Sequence, residues 1–305
     1  MNATRTRGLA LAGVTALISG VAVYVNGFGV AAFGDATAYT TAKNGAAALI
    51  LALVFAVGRR SAGAGSVALR RPTRPGHRWG LVYIAILGGA VPFVLFFEGL
   101  ATTASTQAAF IHKTLVVWVA LIAVVVLKER LTWWHLGAIG LLVVAQLGLA
   151  GGGVSLVADP GTTMIAAATL LWAVEVVVTK RLLADLTPWT TALARMGGGT
   201  VALLAWCGLT GRLDDALPAT ASQWGWVLLT GVLLAGYVAT WHHALALAPA
   251  VDVTAVLVLG ALVTAILAGA LDAAPLAAQA PWLILLAAGG LLVWLAPRLP
   301  GRAVT

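Results

Sequence analysis

The sequence predicts an all-α integral membrane protein of about ten transmembrane helices, folded as two inverted five-helix repeats. Three observations carry the prediction: an apolar composition, ten apolar runs of spanning length, and charge confined to alternate junctions. Of the 305 residues, 61% are hydrophobic and 9% charged, and the mean hydropathy is +1.00. Soluble domains carry roughly a quarter charged residues, and a water-soluble fold of this size could not hide so much apolar surface. Lipid must therefore solvate most of the chain.

A spanning helix needs about 20 mostly apolar residues. Such runs occupy 9–26, 37–57, 79–98, 104–127, 133–150, 162–179, 189–208, 224–245, 252–271 and 280–297. The first follows Arg5 and Arg7 and could be taken for a signal peptide. Its apolar run, Leu9 to Val25, exceeds the roughly 7–15 residues of a signal-peptide core, so it reads as an uncleaved first helix.

Charge sets the topology. Odd-numbered junctions carry Asp35, Glu98, Asp159, then Arg212 with Asp214 and Asp215, and Asp272. Even-numbered junctions and the tails carry Arg5, Arg7, Arg59, Arg60, Arg70, Arg71, Arg74, Arg78, Lys128, Arg130, Lys180, Arg181, Arg298 and Arg302. The positive-inside rule then puts both termini in the cytoplasm, with the chain in the cytoplasmic (inner) membrane. The net charge of +8 serves orientation, and no nucleic-acid partner is expected. Trp79, Trp133, Trp134, Trp189 and Trp294 fall at one set of helix ends and Trp206, Trp224, Trp226 and Trp282 at the other, as interfacial belts do. Cys207 is the single cysteine, so no intrachain disulfide can form.

Halving the chain at Gly151, Gly152 and Gly153 gives units 1–150 and 151–305 with five spans each. An odd number of spans inverts the second unit, a recurrent plan of secondary transporters. The halves align at one offset: Trp79-Gly80 on Trp224-Gly225, Leu100-Ala101 on Leu245-Ala246, and Leu131 on Leu276. That register sets Glu98 on His243 and Gln107 on Asp252; earlier in each half Lys43 meets Arg195.

Several stretches carry a family resemblance. They are "LATTASTQAAFI", "WVALIAVVVLKERL" ending in Lys128-Glu129-Arg130-Leu131, "HLGAIGLLVVAQLGL", and in the second half "LLWAVEVVVTKRLL" and "LVTAILAGALDAAPL". In their order and spacing the chain resembles the EamA-type branch of the drug/metabolite transporter superfamily over nearly its whole length. The resemblance implies one EamA-type repeat in each half. Two features depart from it: no proline stands near Val116 or Leu262, and Ala274 takes the place that Glu129 predicts for an acid.

Charge inside a bilayer is costly and marks function. Lys43 and Arg195 each lie ~10 Å from a helix end at 1.5 Å per residue, and each either snorkels or faces a cavity. Lys113 lies ~22 Å before Lys128, too deep for easy snorkelling. With His112, Gln107 and Trp118 it is expected at a polar central cavity, alongside Lys43, Arg195 and Trp172. Glu175 is the acid clearly inside a span and is a candidate to pair with Lys113 or Arg195, or to carry a proton. Glu98 and His243 are weaker proton-coupling candidates at opposite faces. Three cations against one anion favour cargo bearing a negative group.

The expected function is a secondary transporter moving a small metabolite, an amino acid or organic anion, by alternating access and in the export direction. No GxxxxGK[ST] run is present, so no nucleotide or other cofactor is expected. A membrane-embedded enzyme acting on a lipid-linked substrate is the alternative, but HExxH is absent and acids are few; a channel or scaffold is the other. The expected partners are a small-molecule substrate and the lipid bilayer, with a homodimer left open.

Overall fold

The computed structural model describes residues 3–61, 68–103, 105–150, 159–271, 276–296 and 299. The glycine run at 151–153, Asp272, Ala274, Arg298 and Arg302 lie outside the described residues. Ten helices are present among those described: α1 (Ala3–Phe33), α2 (Ala36–Ser61), α3 (Pro75–Thr102), α4 (Gln107–Leu127), α5 (Trp133–Leu149), α6 (Pro160–Leu182), α7 (Pro188–Leu209), α8 (Ala221–Leu247), α9 (Ala250–Leu271) and α10 (Leu276–Leu295). Nine have 20 to 31 residues, and 20 residues rise ~30 Å, the thickness of the hydrocarbon core. The exception is α5, with 17.

Sequence signals set the helix starts. Proline opens α3, α6 and α7, where its missing N–H costs nothing. Asp159 caps α6 through the Thr162 N–H at 2.9 Å, and these bonds hold its carboxyl below the usual carboxylate range. Capping boxes begin α5 (Thr132, His135) and α8 (Thr220, Gln223), each satisfying donors that a helix start leaves orphaned.

The packing repeats across the halves. Helix α1 packs on α8 and α9, α6 packs on α3 and α4, and α5 pairs with α10. Exchanging α1–α5 for α6–α10 leaves that set of contacts unchanged, as two equivalent units require. Close approaches rest on glycine, the usual device where lipid gives helices no hydrophobic drive to associate. A Cβ on Gly260 of α9 would stand 2.8 Å from the Ala16 carbonyl oxygen of α1, and one on Gly99 of α3 2.7 Å from the Gly161 oxygen of α6.

Helices α3 and α7 each carry a π-helical turn, Ile84–Gly88 and Ala194–Gly198, and the two turns pack together. Below the α3 turn the ladder breaks, with Ala90 at φ −129°, ψ −71°. Pro92 supplies the reason, since it has no N–H to bond the Gly88 carbonyl four residues back. The freed Gly88 oxygen accepts Trp172 Nε1 at 3.1 Å, and the Gly89 oxygen accepts Asn44 Nδ2 at 3.4 Å.

Leu49, Val125, Leu209 and Ile284 are among the most exposed apolar side chains, as expected where lipid is the outer solvent. Trp79, Trp133, Trp206 and Trp224 are exposed near helix ends, whereas Trp172 and Trp241 are buried within the bundle.

Candidate functional site

A cavity of about 160 Å³ lies inside the bundle, and every helix except α5 and α10 contributes to its wall. The structure brings five of the predicted residues to it: Lys43 of α2, His112 of α4, Trp172 and Glu175 of α6, and Arg195 of α7. Arg195 leaves the π-helical turn of α7, and Trp172 is held by the carbonyl that Pro92 frees. Helix irregularity and site are therefore one piece of construction, as π-turns at functional positions commonly are.

The charges are arranged unequally. Arg195 and Glu175 form a buried pair, Nε to Oε1 at 3.3 Å, too poorly aligned for that nitrogen to count as hydrogen-bonded. Thr179 Oγ1 donates to the same carboxylate oxygen at 3.0 Å. Lys43 is 3% exposed, and among the described residues no carboxylate lies within ion-pair distance of it. Its ammonium donates to Asn26 Oδ1 at 3.3 Å and sits 4.3, 5.1 and 5.8 Å from the ring centres of Phe97, Tyr39 and Phe93. Ring faces attract a cation through their quadrupole, but they do not cancel its charge.

Aromatic rings line much of the remainder. Phe93, Phe96, His112 and Trp172 form a contiguous cluster with centroids 5.1 to 5.6 Å apart. Tyr237 and Trp241 stack at 5.9 Å on α8, and both line the same cavity. Among the described residues His112 Nδ1 has no hydrogen-bond partner.

The other predicted residues lie elsewhere. Lys113 is not on the cavity wall; it borders two voids of about 10 Å³ each, beside Gln146 of α5 and Thr254 of α9. Lys113 and Glu175 do not pair, since Arg195 takes that place. Trp118 is 39% exposed, with its Nε1 donating to Thr114. Gln107 Nε2 donates to Thr162 Oγ1 at 3.0 Å near the start of α6.

Glu98 belongs to a network on the face opposite the arginine-rich loops. It accepts from Arg212 at 2.8 Å and from Thr37, while Asp35 stands 3.7 Å from the same guanidinium. Both carboxylates raise the proton affinity of Arg212, Glu98 foremost. His243 lies near the basic end of α8, with Nδ1 on the Ala239 carbonyl and its ring against Trp189.

A second network lies at the basic face, and sequence reasoning did not select its members as a site. Asp252, 1% exposed, takes Arg5 Nε on one oxygen at 3.0 Å and faces His135 Nε2 with the other at 3.3 Å. Thr132 N–H donates to His135 Nδ1, so the ring is the tautomer carrying its proton on Nε2, directed at Asp252. Glu129 accepts from the Ala250 and Val251 N–H groups at 2.7 and 3.1 Å and thereby caps α9. Lys180 donates to the Leu245 and Ala248 carbonyls at 2.6 and 2.8 Å, closing the end of α8. Burial raises the Glu129 carboxyl above its ordinary range, against the lowering effect of those two N–H bonds.

A multi-pass helical membrane protein, built as two matched five-helix units around a charged and aromatic cavity, is the class these features define. A family model described as the EamA-like transporter family matches the chain twice, over residues 6–150 and 159–296, and the chain belongs to that family. A solved structure described only as "Crystal structure of protein" is similar, with a TM-score of 0.71 at 19% identity, over 94% of this chain and 97% of that one. At that identity the likeness is one of fold. No curated protein matches the chain.

Proposed function

We propose that this chain is a secondary transporter that carries an amino acid or small organic anion across the cytoplasmic membrane by alternating access. The basic face, with both termini, is read as cytoplasmic from the sided charge. The observation that carries the reading is the central cavity with Lys43 lacking a carboxylate partner among the described residues and Arg195 paired to Glu175. Unneutralised charge inside a bilayer is retained for a ligand rather than for stability.

The two networks supply the gates that alternating access needs. Opening the cavity to the basic face requires Arg5, His135 and Glu129 to release α9. Opening the other way requires Arg212 to release Glu98 and Asp35. Glu175 is the proposed proton-responsive group, because protonation would free Arg195 to meet an anion in the cavity. Glu98 and His243, each held at a face, are secondary candidates for that coupling. Lys113 and Gln107 remain proposed contributors as neighbours of the cavity wall, and Trp118 as an outward-facing neighbour of the same helix.

The test is reconstitution in liposomes and saturable uptake of labelled amino acids and organic anions, comparing wild type with Glu175→Gln, Arg195→Gln and Lys113→Ala. The expected result is saturable flux that falls strongly in Arg195→Gln and loses its dependence on a pH gradient in Glu175→Gln. Lys113→Ala is expected to retain most of it. Absence of saturable flux for the whole panel, with the protein folded, would contradict the reading.

A further inference from the structure

We infer that the cargo is a small monocarboxylate with a flat, apolar body, bound as an anion with its carboxylate on Lys43 and Asn26. The inference rests on the transporter reading and narrows the cargo of the same cavity.

Charge selects the ionic class. Among the described residues the cavity wall carries Lys43 and Arg195 against Glu175, an excess of one cation. A monoanion neutralises that balance. A zwitterion leaves the positive charge uncompensated, and its ammonium finds the cavity's one carboxylate already held by Arg195 and Thr179. A dianion overshoots, and a cation adds like charge to a desolvated site, where repulsion is strongest.

Geometry locates the carboxylate. Lys43 can only donate, so the Asn26 atom that receives it is the amide oxygen, which also accepts the Tyr39 hydroxyl at 2.7 Å. That fixes the Asn26 amide and leaves its NH2 group without a partner among the described residues, in a residue that lines the cavity. The ammonium and the amide NH2 both offer donors to the cavity, the complement of a carboxylate, while the amide oxygen between them is already taken by Lys43 and Tyr39.

Size and shape select the body. Protein cavities of about 150 Å³ take up a benzene ring, so about 160 Å³ accommodates one ring or a short branched chain with its carboxylate. The ring cluster of Phe93, Phe96, His112 and Trp172 offers faces and edges suited to stacking a flat group.

The experiment uses four probes of one shape and different charge: benzoate, phenylalanine, phenylethylammonium and phthalate. Thermal stabilisation of the purified protein and competition against saturable flux in liposomes are read for wild type, Lys43→Met, Lys43→Arg and Asn26→Ser. Benzoate is expected to stabilise and compete best. Its effect should weaken about tenfold to a hundredfold in Lys43→Met, the scale of a hydrogen bond to a charged group. Lys43→Arg should keep part of it. Asn26→Ser, which leaves every cation in place, should weaken benzoate without creating a preference for phenylalanine, so the inference stays testable even if Lys43→Met does not fold. Preference for phenylalanine, phenylethylammonium or phthalate would overturn the inference while leaving the transporter standing. Stabilisation by none of the four, beside saturable flux of some other solute, would overturn it equally. No flux of any solute would overturn the transporter reading itself.

Discussion

Lys43, Glu175 and Arg195 stood out in the sequence because a charge in an apolar run has to be accounted for, and each lines the cavity. The partner of each charge was less legible. Lys113 and His112 are adjacent, and adjacent residues on a helix point about 100° apart, so only His112 reaches the cavity wall. From Leu115 to Leu127 helix α4 is apolar on all sides, which removes the amphipathic signal that would fix its rotation. The same lack hid the outward placement of Trp118. At this scale the ion pair makes the sharpest stability prediction. Removing one partner of a buried pair costs about 3–5 kcal/mol when the other charge is stranded. Glu175→Gln should therefore lower the melting temperature, and Glu175→Gln with Arg195→Gln should recover part of the loss. Equal melting of the single variant and wild type would show that the pair is not what orders this region.

Proline and glycine explain how the elements meet. Pro92 permits a kink in α3, and Gly88-Gly89 and Gly197-Gly198-Gly199 permit close helix approach. In the structure Pro92 frees the carbonyl that holds Trp172, and Gly89 abuts Gly199 where the two π-turns meet. The turns themselves were not legible, since one extra residue per turn leaves no mark on hydropathy. A Cβ on Gly199 would lie 2.6 Å from the Gly89 oxygen, whereas one on Gly197 would meet nothing within 4 Å. Gly199→Ala should thus destabilise by about 1–3 kcal/mol, as overpacking does. Gly197→Ala should be neutral or stabilising by up to about 1 kcal/mol through helix propensity. Thermal melts of the two variants check the pair, and equal behaviour would contradict the packing described. The cap on α9 gives a further prediction. Glu129→Ala leaves the Ala250 and Val251 N–H groups without their acceptor, at roughly 1–3 kcal/mol for each one that stays buried and unbonded.

Across the whole molecule, the ten-helix, two-unit plan was readable because apolar runs and sided charge are properties of composition and order. The polar networks at the two faces were not, because each joins residues far apart in sequence: Arg5 with Asp252, and Glu98 with Arg212. The offset that matched the halves set Gln107 on Asp252, yet the two play different parts, one bonded to Thr162 and the other to Arg5. Glu129 caps α9, while its counterpart by the same offset is Ala274. The units are thus alike in fold and unlike in the polar contacts at these positions. Asp252→Asn should weaken closure at the basic face selectively, so a thiol reagent supplied from that side should reach the cavity faster than in wild type. An unchanged rate would remove Asp252 from the gate.

Alternating access requires that the cavity be reachable from each face of the membrane in turn. Ser19 lines the cavity and Cys207 is the one native cysteine, so Ser19→Cys in a Cys207→Ser background places a single thiol there. An impermeant thiol reagent would be applied to each face of sealed vesicles in turn. The account predicts modification from both faces, with Asp252→Asn favouring the basic face and disruption of Arg212 favouring the other. Modification from one face only, in wild type and both variants alike, would contradict it.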